Sequence, residues 1–574
     1  MRVLIKLIIA LGILGIFNIS LFMGCGIFDK NPFQVNEKLS NELNESTSWI
    51  FSGFNIVIDN NWSDVKDTYE WCTGEGTESH PYLIEHVIID GQGSWNCIDI
   101  RNSNDYFIIQ KCMLYDSSGG HYYGIKMNNV SNGNIIDNNF FGNYFGIYFK
   151  SSNNNTIFGN KIYENDVGVY LVNCNNNTIS GNIADDNFYG ISLSESKFNH
   201  LLGNTVNCIG GGIEIYESDN NVISRNVANN NFNGIFLIRS SNNTLSDNVG
   251  NYNKEDGLSF SDSDNNLIAN NTVNHNGENG IVLQRSSNNT VLGNIAIMND
   301  YNGIDLQKGN NNSISENLMY FCGINIDDKL QEMASHHIDD TNLINNKPIY
   351  YYVNAVGLNS SDFANAGQII LINCNDSTIS GTDLSNGSIG IYSCYCNNIT
   401  ILENTIKNNN QGIFLRYCLE NTISRNLIAH NDFGISISAS FYNLVTENKI
   451  LHNNIQGMYV ESRSYYNTIF LNNFTNNQQN ALDNGLYNNW DNGSIGNYWD
   501  DYTSVDANDD GIGDTPYSIK GWGTSYDKFP IWNDGPYQPT ITFGNYFLLF
   551  MMISVASITI LISKKLKFLL TKGN

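Results

Sequence analysis

The acidic stretch from 506 to 514 has the residue types and the spacing of a metal-binding loop. It reads DANDDGIGD, so oxygen-bearing side chains recur along it and a glycine stands at the sixth position. Calcium takes carboxylate, amide and backbone carbonyl oxygens, and such loops need glycine at this position for a sharp turn. The predicted ligands are Asp506, Asn508, Asp510, the Ile512 carbonyl and Asp514. Position twelve is Tyr517, so Asp500 or Asp501 would have to complete the shell of an ion that holds the C-terminal cap together.

Two histidines, His430 and His452, form a second candidate metal site because 22 residues separate them. In a chain that repeats with this period they lie on adjacent rungs, within bonding distance of one ion. Equivalent positions of other repeats hold Glu164, Asp186, Asn230, Tyr252 and Met298. That mixture is typical of a solvated face, so the sequence argues against a metal ion here and at the adjacent His336 and His337.

Three pairs of adjacent aspartates are candidates for acid–base chemistry: Asp185-Asp186, Asp327-Asp328 and Asp339-Asp340. Glycoside hydrolysis uses two carboxyl groups that flank the bond to be broken. Adjacent acids in loops are more often solvated than catalytic. We therefore favour a protein that is not an enzyme, and a polysaccharide lyase, hydrolase or epimerase stays open as the alternative.

The chain contains 11 cysteines, and their positions favour free thiols. Cys174, Cys396 and Cys418 occupy a position of the repeat that holds serine in other copies. Cys396 and Cys418 would lie one rung apart, within disulfide range, but the exchange with serine indicates that the position needs a small buried residue. Cys97 and Cys112 are a second candidate pair.

The candidate residues lie on a repeat of 22 or 23 residues, and this repeat predicts the fold. Its glycines stand at 124, 146, 168, 190, 212, 234, 257, 280 and 303, then at 367, 390, 412, 434 and 457. Asparagine recurs at the ninth and fourteenth positions after each glycine of the first array from 146 onward, as in Asn155 and Asn160. Apolar residues alternate between these columns, which predicts three short strands and three turns per repeat.

Stacking such repeats predicts an all-β parallel solenoid in which each strand pairs with its copy about 4.8 Å away. Asparagine then lies on asparagine at the turns, where its amide can donate to one copy and accept from the next. Asparagine also tolerates the left-handed backbone that turns need. On the outward face of one sheet we expect Tyr148, Tyr170, Tyr216 and Phe236 with Glu214 and Asp305. These residues could stack on sugar rings, but ordinary sheet-surface aromatics are the simpler interpretation.

Composition and the two ends of the chain indicate an exported, membrane-anchored protein. The 574 residues include 29 basic and 56 acidic side chains, and the net charge of -27 argues against a nucleic-acid partner. Residues 1–24 resemble a signal peptide or an N-terminal anchor, with Cys25 as a candidate lipidation site. Residues 545–563 read as a transmembrane helix, and the lysines after it predict a cytoplasmic tail at 564–574.

The repeat divides the region between these segments into five parts. They are an N-terminal cap with the first coil at 30–95, a first array at 96–324, an insertion at 325–366, a second array at 367–480 and a C-terminal cap at 481–540. The caps are expected because both ends of a solenoid expose strand edges.

The repeats NNTIxxNxxxxNxxGIxL, the segment GEGTESHPYLIEHVIIDG at 74–91, the sequence NNKPIYYYVNA and the ending GNYWDDYTSVDANDDGIGDTPY resemble the NosD-like family. The resemblance covers about 70 to 535 and implies a right-handed parallel β-helix with a pectin-lyase-like fold. Archaeal members of this family are often cell-surface proteins, similar repeats occur in carbohydrate-binding proteins and sugar hydrolases, and the named bacterial members are periplasmic copper-site maturation factors.

The sequence therefore predicts a membrane-anchored extracytoplasmic β-helix protein that serves as a cell-surface scaffold or binds carbohydrate or another surface partner. Two alternatives remain, which are a polysaccharide-degrading or -epimerising enzyme and a copper-handling maturation factor. An enzyme would show a carboxylate-lined groove on one face of the solenoid. Copper handling would show histidine, methionine or cysteine converging on one spot.

Overall fold

The computed structural model describes residues 48–522 and 524–532, which form a long parallel β-helix. Each coil contributes one strand to each of three sheets, and strands one coil apart pair in parallel. Within these residues no helix is long and apolar enough to cross a membrane. The predicted segments at 1–24 and 545–563 lie outside the described residues.

We name the three sheets of the first array the front, side and back sheets. The front sheet contains Ile56–Asp59, Ile98–Ser103, Tyr123–Val130, Phe145–Lys150, Val167–Val172, Tyr189–Ser194, Ile213–Tyr216, Ile235–Ile238, Leu258–Ser261, Ile281–Gln284, Ile304–Gln307 and Ile324–Asp327. The side sheet contains Cys72–Thr73, Tyr82–Glu85, Phe107–Gln110, Gly133–Ile136, Thr156–Phe158, Thr178–Ser180, His200–Leu202, Val222–Ser224, Thr244–Ser246, Leu267–Ala269, Thr290–Leu292, Ser313–Ser315 and His337–Ile338. The back sheet contains Trp49–Ser52, Val87–Asp90, Met113–Tyr115, Asn139–Phe141, Lys161–Tyr163, Ile183–Asp185, Thr205–Asn207 and Val227–Ala228.

The second array is built in the same way. The back sheet of the first array continues through Thr272–Asn274, Ile295–Ile297, Leu318–Tyr320 and Leu343–Ile344, which is joined to the largest sheet of the second array by an antiparallel pairing. That sheet contains Lys347–Val353, Gln368–Ile372, Ile389–Cys394, Gln411–Arg416, Phe433–Ser438, Gln456–Val460 and Ala481–Asp483. The two smaller sheets contain Thr378–Ser380, Thr400–Leu402, Thr422–Ser424, Leu444–Thr446 and Thr468–Phe470, and Asp383–Ser385, Thr405–Lys407, Leu427–Ala429, Lys449–Leu451, Asn473–Thr475 and Tyr498–Trp499. An antiparallel pair, Tyr517–Ser518 with Tyr526–Asp527, lies in the C-terminal cap, and the helices are Trp62–Thr68, Leu330–Met333 and the 3₁₀ turn Ser360–Phe363.

The asparagine columns form the hydrogen-bonded ladders that the repeat predicts. Asn160 is fully buried, and its Nδ2 donates to Oδ1 of Asn182 at 2.9 Å and to the Ile135 carbonyl at 2.9 Å. Its backbone N–H donates to the same Asn182 oxygen at 3.0 Å. Each ladder asparagine therefore satisfies both the turn of its own coil and the backbone of a neighbour, which buried polar groups require.

The left-handed residues are not the ladder asparagines themselves, as the sequence had suggested, but the residues just before them. Asn154 has a φ of 57°, Asn176 one of 56° and Phe198 one of 58°, and each precedes a ladder asparagine. The ladder asparagines that follow them, Asn155, Asn177 and Asn199, do not have a positive φ. In the third column the break falls at Cys208, whose N–H donates to Asn231 at 2.7 Å, while Ile209 is exposed.

The segment 325–366 is only partly an insertion, so the sequence interpretation needs correction. Residues 324–344 still supply three strands that pair in parallel with the preceding coil. The register changes at the antiparallel pairing of Leu343–Ile344 with Lys347–Pro348. Lys347–Val353 then begins the second array by pairing in parallel with Gln368–Ile372.

Both ends of the described solenoid are covered. Trp62, in the N-terminal helix, stacks on Tyr82 at 5.1 Å and contacts Phe107 at 4.8 Å. At the other end Trp490 and Trp499 are buried against Phe474. These aromatic residues keep the terminal coils from exposing the Ile, Leu and Val rows of the core.

Candidate functional site

A cavity of about 740 Å³ lies where the last coils of the second array meet the C-terminal cap. The coils contribute His430 and His452 to its lining, and the cap contributes Asp500, Asp501 and Tyr517. The structure thus brings together two histidines and two aspartates that the sequence presents as separate features. Seventy residues separate His430 from Asp500, so only the fold of the cap shows that they share a cavity.

An asparagine ladder ends at this cavity. Asn453 Nδ2 donates to Asn477 at 2.7 Å, and Asn477 Nδ2 donates to Asn480 at 3.0 Å. Asn480 Nδ2 then donates to the carboxylates of Asp500 and Asp501, each at 2.9 Å. Most of the lining groups are therefore amides and carboxylates, which offer both donors and acceptors to a bound molecule.

Tyr517 closes the cap side of the cavity. Its ring stacks on Trp499 at 4.3 Å, and its hydroxyl donates to both carboxylate oxygens of Asp501 at 3.0 and 3.1 Å. Burial and the neighbouring Asp501 raise the pKa of the phenol well above its usual range. Tyr517 therefore stays a neutral donor at physiological pH.

The imidazoles of His430 and His452 are stacked, with ring centroids 5.1 Å apart and an angle of 3° between the planes. The sequence predicts that they lie on adjacent rungs, and the structure places them there. A metal bound by imidazole lies in the ring plane about 2.0–2.1 Å from the nitrogen. Rings in parallel planes this far apart do not direct their lone pairs to one point, so the observed geometry is not that of a shared ion.

The predicted calcium loop is exposed at the edge of the cap. Asp506 accepts hydrogen bonds from the backbone of Gly511 at 2.7 Å and of Asp510 at 3.2 Å. Asp514 accepts from the backbone of Ala507 at 2.9 Å. The two acids proposed to complete the shell, Asp500 and Asp501, face the cavity instead.

Calcium binding by this loop stays a prediction. Thermal unfolding with a chelator and with added Ca²⁺ measures it, and a bound structural ion should raise the melting temperature of the cap. No change between the two conditions would contradict it.

The three pairs of adjacent aspartates lie at separate places in the solenoid. Asp185 ends a back-sheet strand, Asp327 ends the last front-sheet strand, and Asp339 follows the last side-sheet strand. Asp327 is instead paired with Arg416 of the second array. The three pairs thus belong to three different sheets and do not form a carboxylate dyad.

The aromatic residues expected on the outward face of the front sheet lie there, but neighbouring side chains cover most of their ring surfaces. Tyr123 stacks on Phe145 at 5.3 Å, and Phe145 stacks on Tyr170 at 5.7 Å. The Tyr216 ring lies under the Arg239 guanidinium at 4.8 Å. Because stacked rings cover each other, this row is sheet surface of the ordinary kind rather than an open platform for sugars.

Glu214 is the unusual residue of the front face. Its side chain points outward from its strand, yet the residue is only 8% exposed and its Oε1 accepts no hydrogen bond. Burial raises the pKa of this carboxyl to about 8. The titratable groups that face it are the phenols of Tyr170 and Tyr189, whose own pKa values are raised mainly by burial.

Replacing Glu214 by glutamine should stabilise the protein in alkaline solution. The folded state holds the proton more tightly than the unfolded chain, so the free energy of unfolding falls as pH rises from about 4.5 to about 8. Glu214→Gln removes this ionisation and should gain about 1–3 kcal/mol near pH 8.5 while matching the native protein near pH 5. Thermal unfolding at both pH values measures this, and parallel pH profiles would contradict it.

Further along the same face, two buried aspartates are hydrogen-bonded to amides. Asp256 accepts from the backbone and the Nδ2 of Asn279, both at 3.0 Å, and burial raises its pKa to about 7. Asp305 accepts from Asn325 at 2.9 Å and from Gln307 at 2.6 Å. Unlike Glu214, these carboxyls have partners within the protein.

All ten cysteines in the described part of the chain are free and buried, as the serine exchange predicts. Ser152 N–H donates to Cys174 Sγ at 3.3 Å, and Cys174 N–H donates to Ser196 Oγ at 3.0 Å. In this column the thiol and the hydroxyl therefore both accept a hydrogen bond from the backbone of the preceding coil. The candidate pair Cys97 and Cys112 is not bridged either. Cys97 lies 3.2 Å from Ser117 Oγ, and Cys112 donates to the Gln110 carbonyl at 3.2 Å.

The coils, the three sheets and the ladders define a parallel β-helix protein. Its sequence matches the model of the family described as "Periplasmic copper-binding protein (NosD)" over residues 89–272, 249–355 and 325–504, which together span more than half of the chain. The chain belongs to this NosD family. No curated protein sequence matches it.

Several solved structures are similar at low identity. The periplasmic alginate epimerase AlgG is 14% identical, with 64% of this chain and 83% of that chain covered and a TM-score of 0.31. The Dettilon tailspike protein is 14% identical, with 67% and 60% covered and a TM-score of 0.32. DFA-IIIase from Arthrobacter chlorophenolicus A6, without its lid, is 11% identical, with 58% and 94% covered and a TM-score of 0.31. These similarities are too distant to carry information about function.

The copper that the family description implies does not fit the described residues. Copper sites need histidine, cysteine or methionine converging on one point. As their side chains are placed, no three His, Cys, Asp or Glu residues of the described ranges converge on one point. Cys394 lies 3.8 Å from the Met333 sulfur, but burial raises the pKa of its thiol to about 11, which disfavours the thiolate that a metal requires.

Proposed function

We propose that this chain is a membrane-anchored, extracytoplasmic β-helix protein that binds carbohydrate in the cavity at its C-terminal end. The observation that carries the proposal is the cavity of about 740 Å³, whose lining includes seven Asn and Gln residues, two carboxylates and two imidazoles. Sugar hydroxyls both donate and accept, as amides do, and polar groups that converge in a concave site provide specificity. Export and anchoring rest on the sequence of 1–24 and 545–563.

The charges at the cavity favour a neutral ligand. Asp500 and Asp501 contribute two carboxylates, and Lys520 contributes one ammonium group. Both carboxylates already accept hydrogen bonds from Asn480, so their oxygens are partly engaged. A polyanion would be repelled by the two carboxylates and by the overall charge of -27. An uncharged, hydroxyl-rich sugar unit would be repelled by neither.

Changing two lining residues should weaken sugar binding. His452 is left-handed, with a φ of 52°, so His452→Asn keeps a residue that tolerates this backbone, and Asp501→Asn keeps the shape of the carboxylate. Each variant should bind the best ligand of a neutral oligosaccharide panel about tenfold more weakly, as expected when one hydrogen bond to a charged or polar group is lost. Isothermal titration on the full chain measures the affinities.

His275→Asn is the matched control for this experiment. His275 has a φ of 56° and stacks on Tyr252 at 5.0 Å, so it resembles His452 in backbone and surroundings but lies in the first array, away from the cavity. Its substitution should leave affinity unchanged. Equal losses in all three variants would contradict binding in the cavity.

A further inference from the structure

An exposed aromatic surface lies at the C-terminal end of the solenoid. We name it the terminal patch, and it consists of Tyr466, Leu486, Tyr487 and Trp522. Trp522 is 78% exposed, the largest value for any large apolar side chain in the described residues, and Tyr487 is 69% exposed. The rings of Tyr466 and Tyr487 stack at 5.3 Å. The Trp522 N–H donates to Oδ1 of Asn484, three residues before Tyr487, at 3.2 Å, so the hairpin of the cap joins the last coil here.

The tyrosines of this row are not the residues that the turn itself favours. Tyr442, Tyr466 and Tyr487 stand one coil apart, each directly before a ladder asparagine, with φ of 56°, 59° and 60°. Asparagine tolerates this left-handed backbone better than tyrosine does, and it stands at the same position in first-array coils, as in Asn154 and Asn176. Stacking between the rings offsets part of the cost. The repeat therefore does not explain why the row is exposed and aromatic.

The chemistry of the terminal patch matches the interface between a membrane and water. Tryptophan and tyrosine have an apolar body and a polar edge, and both are enriched where lipid headgroups meet the acyl chains. Lys520 and Lys528, exposed on either side of Trp522 in the cap hairpin, supply ammonium groups for lipid phosphates. The overall charge of -27 opposes an anionic surface. A zwitterionic phospholipid bilayer therefore fits the patch best.

The length of the chain after the described residues limits which part of the solenoid reaches a membrane. Twelve residues, 533–544, separate Trp532 from the transmembrane helix that the sequence predicts at 545–563. Fully extended, they reach at most about 43 Å. The 12 strands of the front sheet alone extend for about 50 Å at the spacing of neighbouring strands. An anchored chain thus holds the C-terminal end of the solenoid, where the terminal patch lies, close to the bilayer.

We propose that the terminal patch inserts into the headgroup region of the zwitterionic bilayer that anchors the chain. The Trp522 ring and the Leu486 side chain enter the lipid, and the tyrosine hydroxyls stay at the level of the headgroups. This contact fixes the orientation of the solenoid on the membrane, which a tether alone does not do. The inference rests on the membrane anchor of the proposed function and does not depend on what the cavity binds.

The test reconstitutes the full chain into phosphatidylcholine vesicles, either plain or with bromine on the acyl carbons nearest the headgroups. Bromine quenches tryptophan fluorescence only at short range, and flotation of the same vesicles measures anchoring separately. Trp522→Phe removes the tryptophan of the patch. Tyr487→Asn breaks the tyrosine row with a residue that suits a φ of 60°, so the variant is expected to fold, and circular dichroism checks this.

Trp95→Phe and Tyr252→Asn are the matched controls. Trp95 is an exposed tryptophan near the N-terminal end of the described solenoid. Tyr252 is an exposed tyrosine of the first array with a φ of 57°, so its replacement by asparagine is the same change at a similar backbone. Neither residue belongs to the terminal patch.

The expected result is that brominated lipid quenches the native chain and both controls to the same extent, that Trp522→Phe loses this quenching and that Tyr487→Asn weakens it. Equal quenching of the native chain and Trp522→Phe, or no quenching in vesicles that carry the chain, would overturn the membrane contact and leave the anchor standing. Equal weakening in Tyr487→Asn and Tyr252→Asn would also overturn it. A chain that does not float with the vesicles would overturn the anchor and this inference together, whatever sugar the cavity binds.

Discussion

Asn182→Ala should lower the free energy of unfolding by about 3–5 kcal/mol. Asn182 Oδ1 accepts from the backbone N–H and from the Nδ2 of Asn160, at 3.0 and 2.9 Å. Its Nδ2 donates to the Ile157 carbonyl at 3.0 Å and to Asn204 at 2.9 Å. Alanine removes these bonds and a further one from Nδ2 to the Ser180 carbonyl at 3.1 Å, and it leaves the buried backbone N–H of Asn160 without its acceptor. Denaturant unfolding and amide hydrogen exchange across the neighbouring coils measure the loss.

Asn207→Ala is the matched control for the ladder. Asn207 lies at the outward position of a back-sheet strand and is half-buried, so it is an asparagine of the same solenoid outside the ladders. Its substitution should change stability by less than about 0.5 kcal/mol. If the two variants lose similar stability, the ladders are not what stabilises the turns.

Asp483→Ala should release the C-terminal cap, with a loss of about 3 kcal/mol or more. Asp483 is fully buried and accepts from Trp490 Nε1 at 2.9 Å, Ser525 Oγ at 2.7 Å and Asn488 Nδ2 at 3.0 Å. It also accepts from the Gly485 backbone at 2.9 Å. Amide exchange should rise within 484–532, while the first array stays protected because a solenoid transmits little beyond neighbouring coils.

Two further variants complete this comparison. Asp483→Asn keeps one carbonyl acceptor and should lose less stability than Asp483→Ala. Asp300→Ala removes an exposed aspartate and should have almost no effect. Uniform exchange along the whole chain in Asp483→Ala would show that the cap is not a separate cooperative unit.

The sequence predicts the fold well because the hydrogen bonds of the repeat link each coil to the next. Each ladder asparagine, such as Asn160, makes its bonds to residues one coil away, so the period of 22 residues specifies its partner. The exchange of Cys174 with serine is visible in the same way. The left-handed residues are harder to predict, because Phe198 and Tyr252 adopt this backbone with side chains that disfavour it. There the coil geometry overrides the local preference.

The candidate sites could be predicted only in part. The 22-residue period predicts that His430 and His452 are neighbours. Their place in one cavity with Asp500 depends on how the cap folds over the last coils. Likewise Glu214 is visible as an outward acid in the repeat, while its burial depends on Phe236 and on the space above Gly211. The change from the first array to the second at Leu343–Ile344 is an antiparallel hairpin, and the repeat period of the sequence does not predict it.

We propose that the cavity binds carbohydrate without altering it. The most direct measurement exposes the full chain to a polysaccharide panel and records, in the same samples, bound sugar and newly formed reducing ends or unsaturated ends. Binding without new chain ends, lost in Asp501→Asn and retained in His275→Asn, is the predicted result. New chain ends would contradict the claim and would make the chain an enzyme, and the absence of any bound sugar would remove carbohydrate as its ligand.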